Sequence, residues 1–381
     1  MCDKIKVLWV TNALGCGGAE RQMLYMYDII KEYCNIDVTI LYYAKVGNAL
    51  DIGGYNTVFI DKSKLGPAKT IQSISKYIRE NNIQIMHAFG GSSANIYGRF
   101  GAVGTKAVPV GAMLGKKHFA KTTFKIINSF LNLFGNWWTV NNLDLIPILK
   151  NDLKFVSSNK IRMLHNGFVP AEKVDYKTGI ETEYDLDKGD NFVFMVAGRL
   201  QPVKNYGLYL RAAKEVLKTH GKLRFWVVGD GDEYDKLQQT AKELGIEDNV
   251  KFWGYSTDVD AIMARSDVFV QTSFTEGSPN TIAEAMRAKK PIISTKSTDL
   301  SEMIEDDENG YVTENDNCKV LVEAMNMILG KTHEELEAMG RKSYELFENN
   351  FLDVNVAADF QSFYEEILKK SPAVKCQEKN K

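Results

Sequence analysis

Cysteine is scarce in this chain, and long apolar runs are absent from it. The five cysteines have neither the spacing of a metal site nor that of a disulfide framework. They are Cys2, Cys16, Cys34, Cys318 and Cys376. No apolar run reaches the roughly 18 to 20 residues of a membrane-spanning helix, and the chain opens on a strand-like run, IKVLWV, instead of a signal peptide. These absences argue against a disulfide-rich secreted scaffold and an integral membrane protein, so we expect a protein of the reducing cytoplasm.

The composition predicts a folded protein with two domains. Hydrophobic residues make up 44% of the chain and charged residues 25%, as in soluble globular proteins. A length of 381 residues exceeds what one hydrophobic core usually supports. We place the join in the polar, glycine-containing stretch at 169–191, which gives one domain at 1–168 and another at 190–350.

The net charge of −2 hides an asymmetry between the two halves of the chain. Residues 1–170 contain 20 Lys and Arg against 10 Asp and Glu, whereas the remaining residues contain 27 against 39. A basic amino-terminal half predicts an anionic partner, either the phosphates of a lipid-linked acceptor or a membrane surface. Attraction between two oppositely charged domains explains the same asymmetry equally well. We expect no nucleic-acid partner.

Short apolar or β-branched runs alternate with helical stretches along the chain. This alternation predicts parallel sheets covered by helices on both faces. The predicted strands are IKVLWV, DVTILYY, NTVFI, IQIMHAF, VPVGAML and NWWTVN, followed by FVFMVAG, RFWVVGD, VKFWG, DVFVQTS and PIISTK. Doubly wound domains of this kind bind ligands at the carboxyl ends of their strands. We therefore expect two such domains facing each other across a cleft.

The most informative motif is EGSPNTIAE, in which Glu276 and Glu284 flank a turn that runs into a helix. Pro279 suits the first turn of a helix, and Ser278 before it can cap that helix. The amides of the turn and the helix dipole favour an anion such as a diphosphate. The two carboxylates can accept hydrogen bonds from hydroxyl groups at opposite ends of an elongated ligand, a hexose at one end and a ribose at the other. The motif therefore predicts a nucleotide-sugar site.

The motif and its continuation, EGSPNTIAEAM, resemble the signature of the retaining glycosyltransferases of family 4, which have the GT-B fold. Further segments resemble the family and follow in its order, namely VLWVTNALGCGGAERQM, IRMLHNGFV, VAGRLQPVKNYGLYLRAA, RFWVVGDGDE, VKFWGYSTDVDAIMARSDVFVQTS and NGYV. The resemblance covers nearly the whole chain and is densest over 192–312. It implies an α/β protein with two Rossmann-like, doubly wound domains, the first binding the acceptor and the second the nucleotide sugar. It also implies that a last helix, about 352–370, joins the first domain.

Two cations take a role through this resemblance. Gly198 and Arg199 follow a strand-like run, and Lys204 lies five residues after Arg199. They resemble the Arg and Lys with which the family holds the donor diphosphate. Negative charge develops on the leaving nucleoside diphosphate, and preorganised cations lower the barrier to its departure. The alternative is that Arg199 and Lys204 are ordinary surface cations at a strand end. It is less favoured, because the other segments that resemble the family follow in the family's order.

The resemblance implies further donor-site residues. Gly17 and Gly18 follow the first strand, where backbone can approach a ligand closely. The run GCGG differs from the G-x-G-x-x-G of dinucleotide folds, so a nicotinamide cofactor has little support. Glu276 is expected near the transferred sugar and Glu284 at the ribose. The other expected donor-site residues are Gly229, Tyr255, Gly277, Ser278, Pro279, Asn280 and Thr281.

The run GDGDE suggests a metal-binding D-x-D through Asp230 and Asp232. We reject this interpretation because the segment brings no third ligand, and because the resemblance implies an enzyme that stabilises its leaving group without a metal. We expect no metal and no cofactor. Trp253 is predicted to lie in the core.

The histidines are ambiguous. Many family members have a His soon after the strand that VPVGAML resembles, and His118 can fill that role only with a shifted loop. A solvent-exposed His in a basic loop is an equally good interpretation of His118. His87, at the end of IQIMHAF, and His165, before Asn166, are cleft candidates by position.

The stretch from Lys116 to Trp138 interleaves lysines with apolar residues. The lysines are Lys116, Lys117, Lys121 and Lys125, and the apolar residues include Phe119, Phe124, Ile127, Phe130, Leu131 and Phe134. This pattern is typical of an amphipathic helix in a membrane interface. A helix packed on its own sheet, with its lysines outward, fits equally well.

Together these features predict a cytoplasmic, metal-independent retaining glycosyltransferase. It is expected to transfer a hexose or N-acetylhexosamine from a nucleotide sugar, with UDP as the expected nucleotide, to a glycan or lipid-linked acceptor in cell-surface polysaccharide synthesis. Peripheral contact with the inner face of the plasma membrane follows from the basic half. Two alternatives stay open, a GT-B phosphorylase or epimerase and a catalytically silent GT-B binding module. A silent module would be expected to have lost one of the four ligand-holding charges, and all four are present.

Overall fold

The computed structural model describes residues 4–15, 18–47, 49–116, 121–174, 176 and 183–371. Contacts divide the chain into two compact units. The first unit lies within Met1–Gly167 and Asp353–Lys381, and the second within Phe168–Leu352. The described residues of 169–191, the predicted join, belong to the second unit.

Strands and helices are numbered along the chain. The described strands are β1 Ile5–Thr11, β2 Ile36–Tyr42, β3 Thr57–Phe59, β4 Ile85–Ala88, β5 Val108–Met113, β6 Trp137–Val140, β7 Ile161–Met163, β8 Phe192–Ala197, β9 Leu223–Val228, β10 Val250–Gly254, β11 Val268–Gln271, β12 Ile292–Thr295 and β13 Gly310–Thr313. The described helices are α1 Gly18–Tyr33, α2 Lys62–Glu80, α3 Ser92–Ala102, α4 Thr122–Leu131, α5 Leu145–Asp152, α6 Glu183–Lys188, α7 Tyr206–Val216, α8 Tyr234–Leu244, α9 Val259–Arg265, α10 Asn280–Arg287, α11 Cys318–Leu329, α12 His333–Asn350 and α13 Asp353–Lys370.

The first unit contains a parallel sheet in the order β3-β2-β1-β4-β5-β6-β7. In β1 only Lys6 is exposed, as expected for a strand covered on both faces. Side chains of a strand alternate between faces, and Trp9 packs with α1 and α13 while Leu8 packs with α2. The sheet is therefore covered by helices on both sides.

Helix α13 is bound into this unit by an apolar face and a buried polar network. The face includes Val356, Phe360, Phe363 and Ile367, all buried in one cluster with β1 and α1. The Tyr364 hydroxyl accepts a hydrogen bond from Trp9 Nε1 at 2.9 Å and lies 2.8 Å from His87 Nδ1. The return helix is thus part of the core of the first unit.

The expectation that His87 faces a cleft is wrong. His87 is completely buried, with Tyr364 on one ring nitrogen and Thr139 Oγ1 on the other at 2.9 Å. Burial lowers the pKa of His87 to about 3, so its imidazole is neutral at physiological pH. It is a structural residue that links β4 to α13.

The second unit contains a parallel sheet in the order β10-β9-β8-β11-β12-β13. This is the 3-2-1-4-5-6 order of doubly wound folds, in which the direction of winding reverses between β8 and β11. Such sheets bind ligands beside the carboxyl ends of the strands at the reversal. The fold therefore predicts a ligand-binding site at the loops after β8 and β11.

The predicted class, α/β with two doubly wound parallel sheets, is confirmed. The eleven predicted runs correspond to β1–β6 and β8–β12. Strands β7 and β13 were not predicted, and each lies at an edge of its sheet. No helix in the described part of the chain is both long and apolar enough to cross a membrane.

Candidate functional site

The loops after β8, β9 and β10 are joined by backbone hydrogen bonds at the carboxyl edge of the second sheet. The Gly198 amide donates to the Val228 carbonyl at 3.0 Å, and the Gly229 amide donates to the Gly254 carbonyl at 2.8 Å. Gly198 and Gly229 have φ of +139° and +132°. A Cβ on Gly229 would lie 2.0 Å from the Gly198 carbonyl oxygen, so only glycine fits there. The two glycines allow close packing of the loops that carry the site.

The predicted cations follow β8. Arg199 is exposed at the end of the strand, and Lys204 ends a short 3-10 turn, Pro202–Lys204. The loop after β11 is bonded to this turn, because the Phe274 amide donates to the Val203 carbonyl at 2.8 Å and Thr272 Oγ1 donates to the Lys204 carbonyl at 2.9 Å. The connection fixes Lys204 beside the loop that carries Glu276.

Lys204 and Glu276 form an ion pair at the strand ends. The distance from Lys204 Nζ to Glu276 Oε1 is 2.8 Å, and the two side chains are only 21% and 14% exposed. The Glu276 amide also donates to the Ser297 carbonyl at 3.2 Å, which anchors the loop to the segment after β12. Sequence reasoning assigned the two charges to different parts of one ligand and did not foresee their direct contact.

Helix α10 begins one residue later than its sequence suggested. Its cap position is Pro279, with φ −80° and ψ 83°, and no side chain caps the helix. The predicted Ser278 cap is therefore wrong, because the ψ of Pro279 is not helical and the helix begins only at Asn280. The Ser278 carbonyl accepts from the Asn280 amide at 3.0 Å, and Thr281 Oγ1 donates to Gln271 at 3.3 Å.

Glu284 lies on α10 in a half-buried position. Its pKa is raised from an ordinary value of 4.5 to about 7, mainly because burial disfavours the carboxylate and secondly because Asp260 is negative. The charges of Arg287 and Lys204 act in the opposite direction. Glu284 thus lies within electrostatic reach of Lys204, which in turn pairs with Glu276. Arg287 itself is buried and pairs with Asp260 at 2.5 Å.

Two aromatic residues at the carboxyl end of β10 have different environments. Trp253 packs on the core, with its ring centroid 5.6 Å from that of Trp226, which confirms its prediction as a core residue. Tyr255, in contrast, is 64% exposed beyond the end of β10. Its exposure leaves it accessible to a ligand at the strand ends.

In the GDGDE segment, Asp230 makes a hydrogen bond within the loop itself. Asp230 Oδ1 accepts from the Gly231 amide at 2.7 Å. Across the described residues, no group of three or more His, Cys, Asp or Glu side chains is placed to hold a metal ion. Metal independence stays a prediction, which chelation can test.

The remaining predicted residues lie elsewhere. Gly18 is the first residue of α1 in the first unit, and a Cβ there would meet nothing within 4 Å. His165 also belongs to the first unit. Gly17 and His118 lie outside the described residues, as do Lys117 and Phe119.

Tyr206 is a residue of this site that sequence reasoning missed. Its buried hydroxyl has no hydrogen-bond partner among the described residues, and a Cβ on Gly198 would lie 2.9 Å from it. Burial and the charge of Glu276 raise its pKa. In the sequence Tyr206 occupies an apolar position of the YGLYLRAA helix, so its pattern indicates only a core residue.

Residues 180–346 match the family described as Glycosyl transferases group 1. They belong to the group 1 glycosyltransferases. The family predicted from the motifs is therefore confirmed. The matched segment contains both cations and both carboxylates of the site.

Relatives and solved structures agree with this assignment. The chain is 26% identical over 278 residues to the Escherichia coli UDP-Gal:alpha-D-GlcNAc-diphosphoundecaprenol alpha-1,3-galactosyltransferase, which covers 68% of this chain and 69% of that enzyme. It is 26% identical over 210 residues to an uncharacterized glycosyltransferase of Haemophilus influenzae, over 53% of this chain and 56% of that protein.

The crystal structure of Anabaena HepE in complex with UDP superposes with a TM-score of 0.79 at 20% identity, over 95% of this chain and 100% of that one. This likeness concerns the fold, and it confirms the predicted GT-B architecture. The chain spans 34% and 30% of the length of two further curated relatives. The matches thus assign residues 180–346 to the family, whereas substrates and activity have to be inferred from the site.

Proposed function

We propose that this group 1 glycosyltransferase is a retaining enzyme that moves a hexose or N-acetylhexosamine from a UDP-sugar to a glycan or lipid-linked acceptor in cell-surface polysaccharide synthesis. The Lys204–Glu276 pair beside Glu284 carries the proposal, because it combines a cation for phosphate with carboxylates for hydroxyl groups at the strand ends. Two likenesses support UDP as the nucleotide. The E. coli relative is named for a UDP-Gal donor, and HepE was crystallised with UDP.

Each charged residue takes a role that fits its position. Arg199 and Lys204 hold the diphosphate and stabilise the charge that develops on it as it leaves. Glu276 orients hydroxyl groups of the transferred sugar. Glu284 binds the ribose, and a carboxyl group with a pKa near 7 can either donate or accept a hydrogen bond there.

The reaction needs no nucleophile from the protein. The acceptor oxygen forms a bond to the anomeric carbon on the face from which the diphosphate departs, while the bond from that carbon to the phosphate oxygen breaks. The departing phosphate oxygen takes the proton of the acceptor hydroxyl. The configuration at the anomeric carbon is retained, and neither a metal nor a cofactor enters the scheme.

The proposed location is the cytoplasm, with peripheral contact to an anionic membrane. The 20 basic against 10 acidic residues at 1–170 support it, since basic surfaces are attracted to anionic lipids. A lipid-linked acceptor, like the one in the name of the E. coli relative, would be met at such a surface.

A donor screen tests the proposal. Thermal unfolding is followed with UDP-, GDP- and ADP-sugars, because a ligand that binds the folded state alone raises the midpoint. The sugar that raises it is then offered with candidate acceptors, and the anomeric configuration of the product is read by NMR. We expect a UDP-sugar to bind and to be transferred with retention.

Two variants accompany the screen. Arg199→Ala should lower turnover by about two orders of magnitude, the scale of losing one donor to transition-state charge. Arg211→Ala removes an exposed arginine of α7 that pairs with Asp316 outside the site, and it should leave turnover unchanged. Binding of a UDP-sugar without transfer to any acceptor would favour a silent module, and a requirement for inorganic phosphate would favour a phosphorylase.

A further inference from the structure

Five large apolar side chains are exposed together on the first unit. They are Ile126 at 64%, Phe130 at 50%, Leu133 at 60%, Phe134 at 51% and Phe155 at 62% of their full exposure. We call this set the apolar patch. Side chains of this size are usually buried in soluble proteins, and a group of them on one surface marks a binding site.

The patch lies on two segments that are distant in sequence and hydrogen-bonded to each other. The first four residues lie on α4 and the turn after it, where the Phe130 and Phe134 rings meet at 5.4 Å. The second segment is bonded to this turn. Lys154 donates its amide to Ser129 Oγ at 2.9 Å, and its carbonyl accepts from Asn132 Nδ2 at 2.7 Å. Phe155 is therefore held beside the end of α4.

Phe155 adopts an unusual backbone conformation to reach this position. Its φ is +62°, in the left-handed region that bulky residues seldom enter. Backbone strain persists where surrounding structure enforces it, and it clusters at functional sites. Here the residue in the strained conformation is an aromatic one whose side chain is exposed.

The charges around the patch are positive. Residues 116–160 contain no glutamate and two aspartates, and both aspartates are already paired, Asp144 with Lys116 and Asp152 with Lys125. Lys121 and Lys154 are exposed on the segments that carry the patch, and Lys150 is exposed on α5, shortly before Phe155 in the chain. The excess charge of this surface is thus carried by lysines next to an apolar set.

We propose that the apolar patch inserts into the interface of an anionic lipid bilayer, with Lys121, Lys150 and Lys154 against the head groups. Apolar and aromatic residues flanked by cations are the combination that binds such an interface. A second copy of the chain is the less favourable occupant, because a two-fold contact would bring these lysines close to their own equivalents.

This inference changes the set of residues that the sequence indicated. Leu131 is buried and Phe124 packs against the core, so neither is available to lipid. Lys125 is engaged with Asp152. Phe155, which lies outside the Lys116–Trp138 stretch, takes their place. The inference does not depend on the transfer reaction, since lipid binding is measured without donor or acceptor.

Co-sedimentation with vesicles tests the proposal. The patch variant carries Phe130→Ser, Leu133→Ser and Phe155→Ser. The control variant carries Leu65→Ser, Met327→Ser and Val354→Ser, three apolar residues that are 39%, 50% and 45% exposed elsewhere. With phosphatidylcholine vesicles containing phosphatidylglycerol, we expect wild type and control to bind alike and the patch variant to bind at least about tenfold more weakly. Equal binding of all three, or none by wild type, would overturn the proposal.

Three further measurements complete the test. Lys121→Gln, Lys150→Gln and Lys154→Gln together should remove the preference for anionic over pure phosphatidylcholine vesicles. Phe155→Trp should report insertion directly by a blue shift of its emission with anionic vesicles, which Met327→Trp should not show. Sedimentation equilibrium without lipid should give monomers for wild type and patch variant. A wild-type dimer that the patch variant abolishes would assign the surface to a second copy instead.

Discussion

The Lys204 ammonium group lies 2.8 Å from the Glu276 carboxylate, and both side chains are largely covered. In the proposed function these groups serve different parts of one donor, the diphosphate and the sugar. The donor phosphate must therefore compete with Glu276 for Lys204. Once the phosphate binds Lys204, the carboxylate is released towards the sugar hydroxyl groups. Binding of the two ends of the donor is thus expected to be coupled through this pair.

The coupling predicts opposite effects of two substitutions on UDP binding. Glu276→Gln should leave UDP affinity unchanged or raise it up to about fivefold, about 1 kcal/mol, because it removes the carboxylate that competes with the phosphate for Lys204. It should nevertheless lower turnover. Lys204→Met should weaken UDP binding, and Lys218→Met, on an exposed residue, should not. Calorimetric titration checks each value. Loss of UDP binding in Glu276→Gln would contradict the assignment of Glu276 to the sugar.

The raised pKa of Glu284 predicts a pH-dependent stability. Between its ordinary pKa of 4.5 and about 7, the folded state holds a proton that the unfolded state has lost. The contribution of Glu284 to the free energy of unfolding therefore falls as pH rises through this window. Glu284→Gln cannot ionise, so relative to wild type it should gain about 1 to 3 kcal/mol between pH 5 and pH 8.

Urea unfolding at the two pH values measures this gain, with the exposed Glu247→Gln as the control. A stability difference between wild type and Glu284→Gln that is the same at pH 5 and pH 8 would show that the carboxyl group titrates normally.

The close packing of the loops after β8 and β9 predicts that Gly229 cannot be replaced. In Gly229→Ala the new methyl group would meet the Gly198 carbonyl oxygen at 2.0 Å, at a φ of +132°. We expect a loss of more than about 2 kcal/mol of stability together with weaker UDP binding. Gly221→Ala is the control, since a Cβ there meets nothing within 4 Å. Chemical denaturation measures the free energy of unfolding of both variants. A Gly229→Ala protein as stable as wild type would refute the packing argument.

Gly18 allows a test of ligand binding at a position where a substitution should not disturb the fold. Because no atom lies within 4 Å of a Cβ at this position, Gly18→Ala should change stability by no more than about 0.5 kcal/mol. If the donor approaches the backbone here, as the motif predicts, the methyl group should still lower kcat/KM for transfer. Full activity of a stable Gly18→Ala enzyme would remove Gly18 from the donor site.

Chelation tests metal independence. The proposed scheme stabilises the leaving diphosphate with Arg199 and Lys204, so transfer should persist in excess EDTA. Loss of transfer that manganese or magnesium restores would require a metal in the mechanism. Asp230→Asn and Asp232→Asn would then be the first variants to examine.

The sequence predicted the interiors of the two sheets better than their edges. Runs such as IKVLWV and FVFMVAG are apolar on both faces, and that pattern is typical of central parallel strands. Ile161–Met163 and Gly310–Thr313 are short edge strands with little apolar pattern of their own. Neighbouring strands determine them, and a single sequence does not display that information.

The candidate site was predicted as a set of residues but not as a set of contacts. Motif spacing pointed to Lys204, Glu276 and Glu284, because the chemistry of phosphate and hydroxyl binding restricts residue types. It did not indicate that Lys204 and Glu276 touch, since this depends on hydrogen bonds between loops far apart in sequence, such as the one from the Phe274 amide to the Val203 carbonyl. His87 was misplaced for a similar reason, because its partner Tyr364 is supplied by the return helix.

That return helix also sets the order in which the chain can mature on the ribosome. The first unit is interrupted by the 185 residues of Phe168–Leu352 before α13 completes it, whereas the second unit is continuous. Until α13 has been synthesised, Trp9 and the apolar face of α1 lack their covering residues. The second unit needs no such late segment and can close its sheet as it emerges. Of the two units, the one whose synthesis begins first is therefore the one whose core can be completed only last.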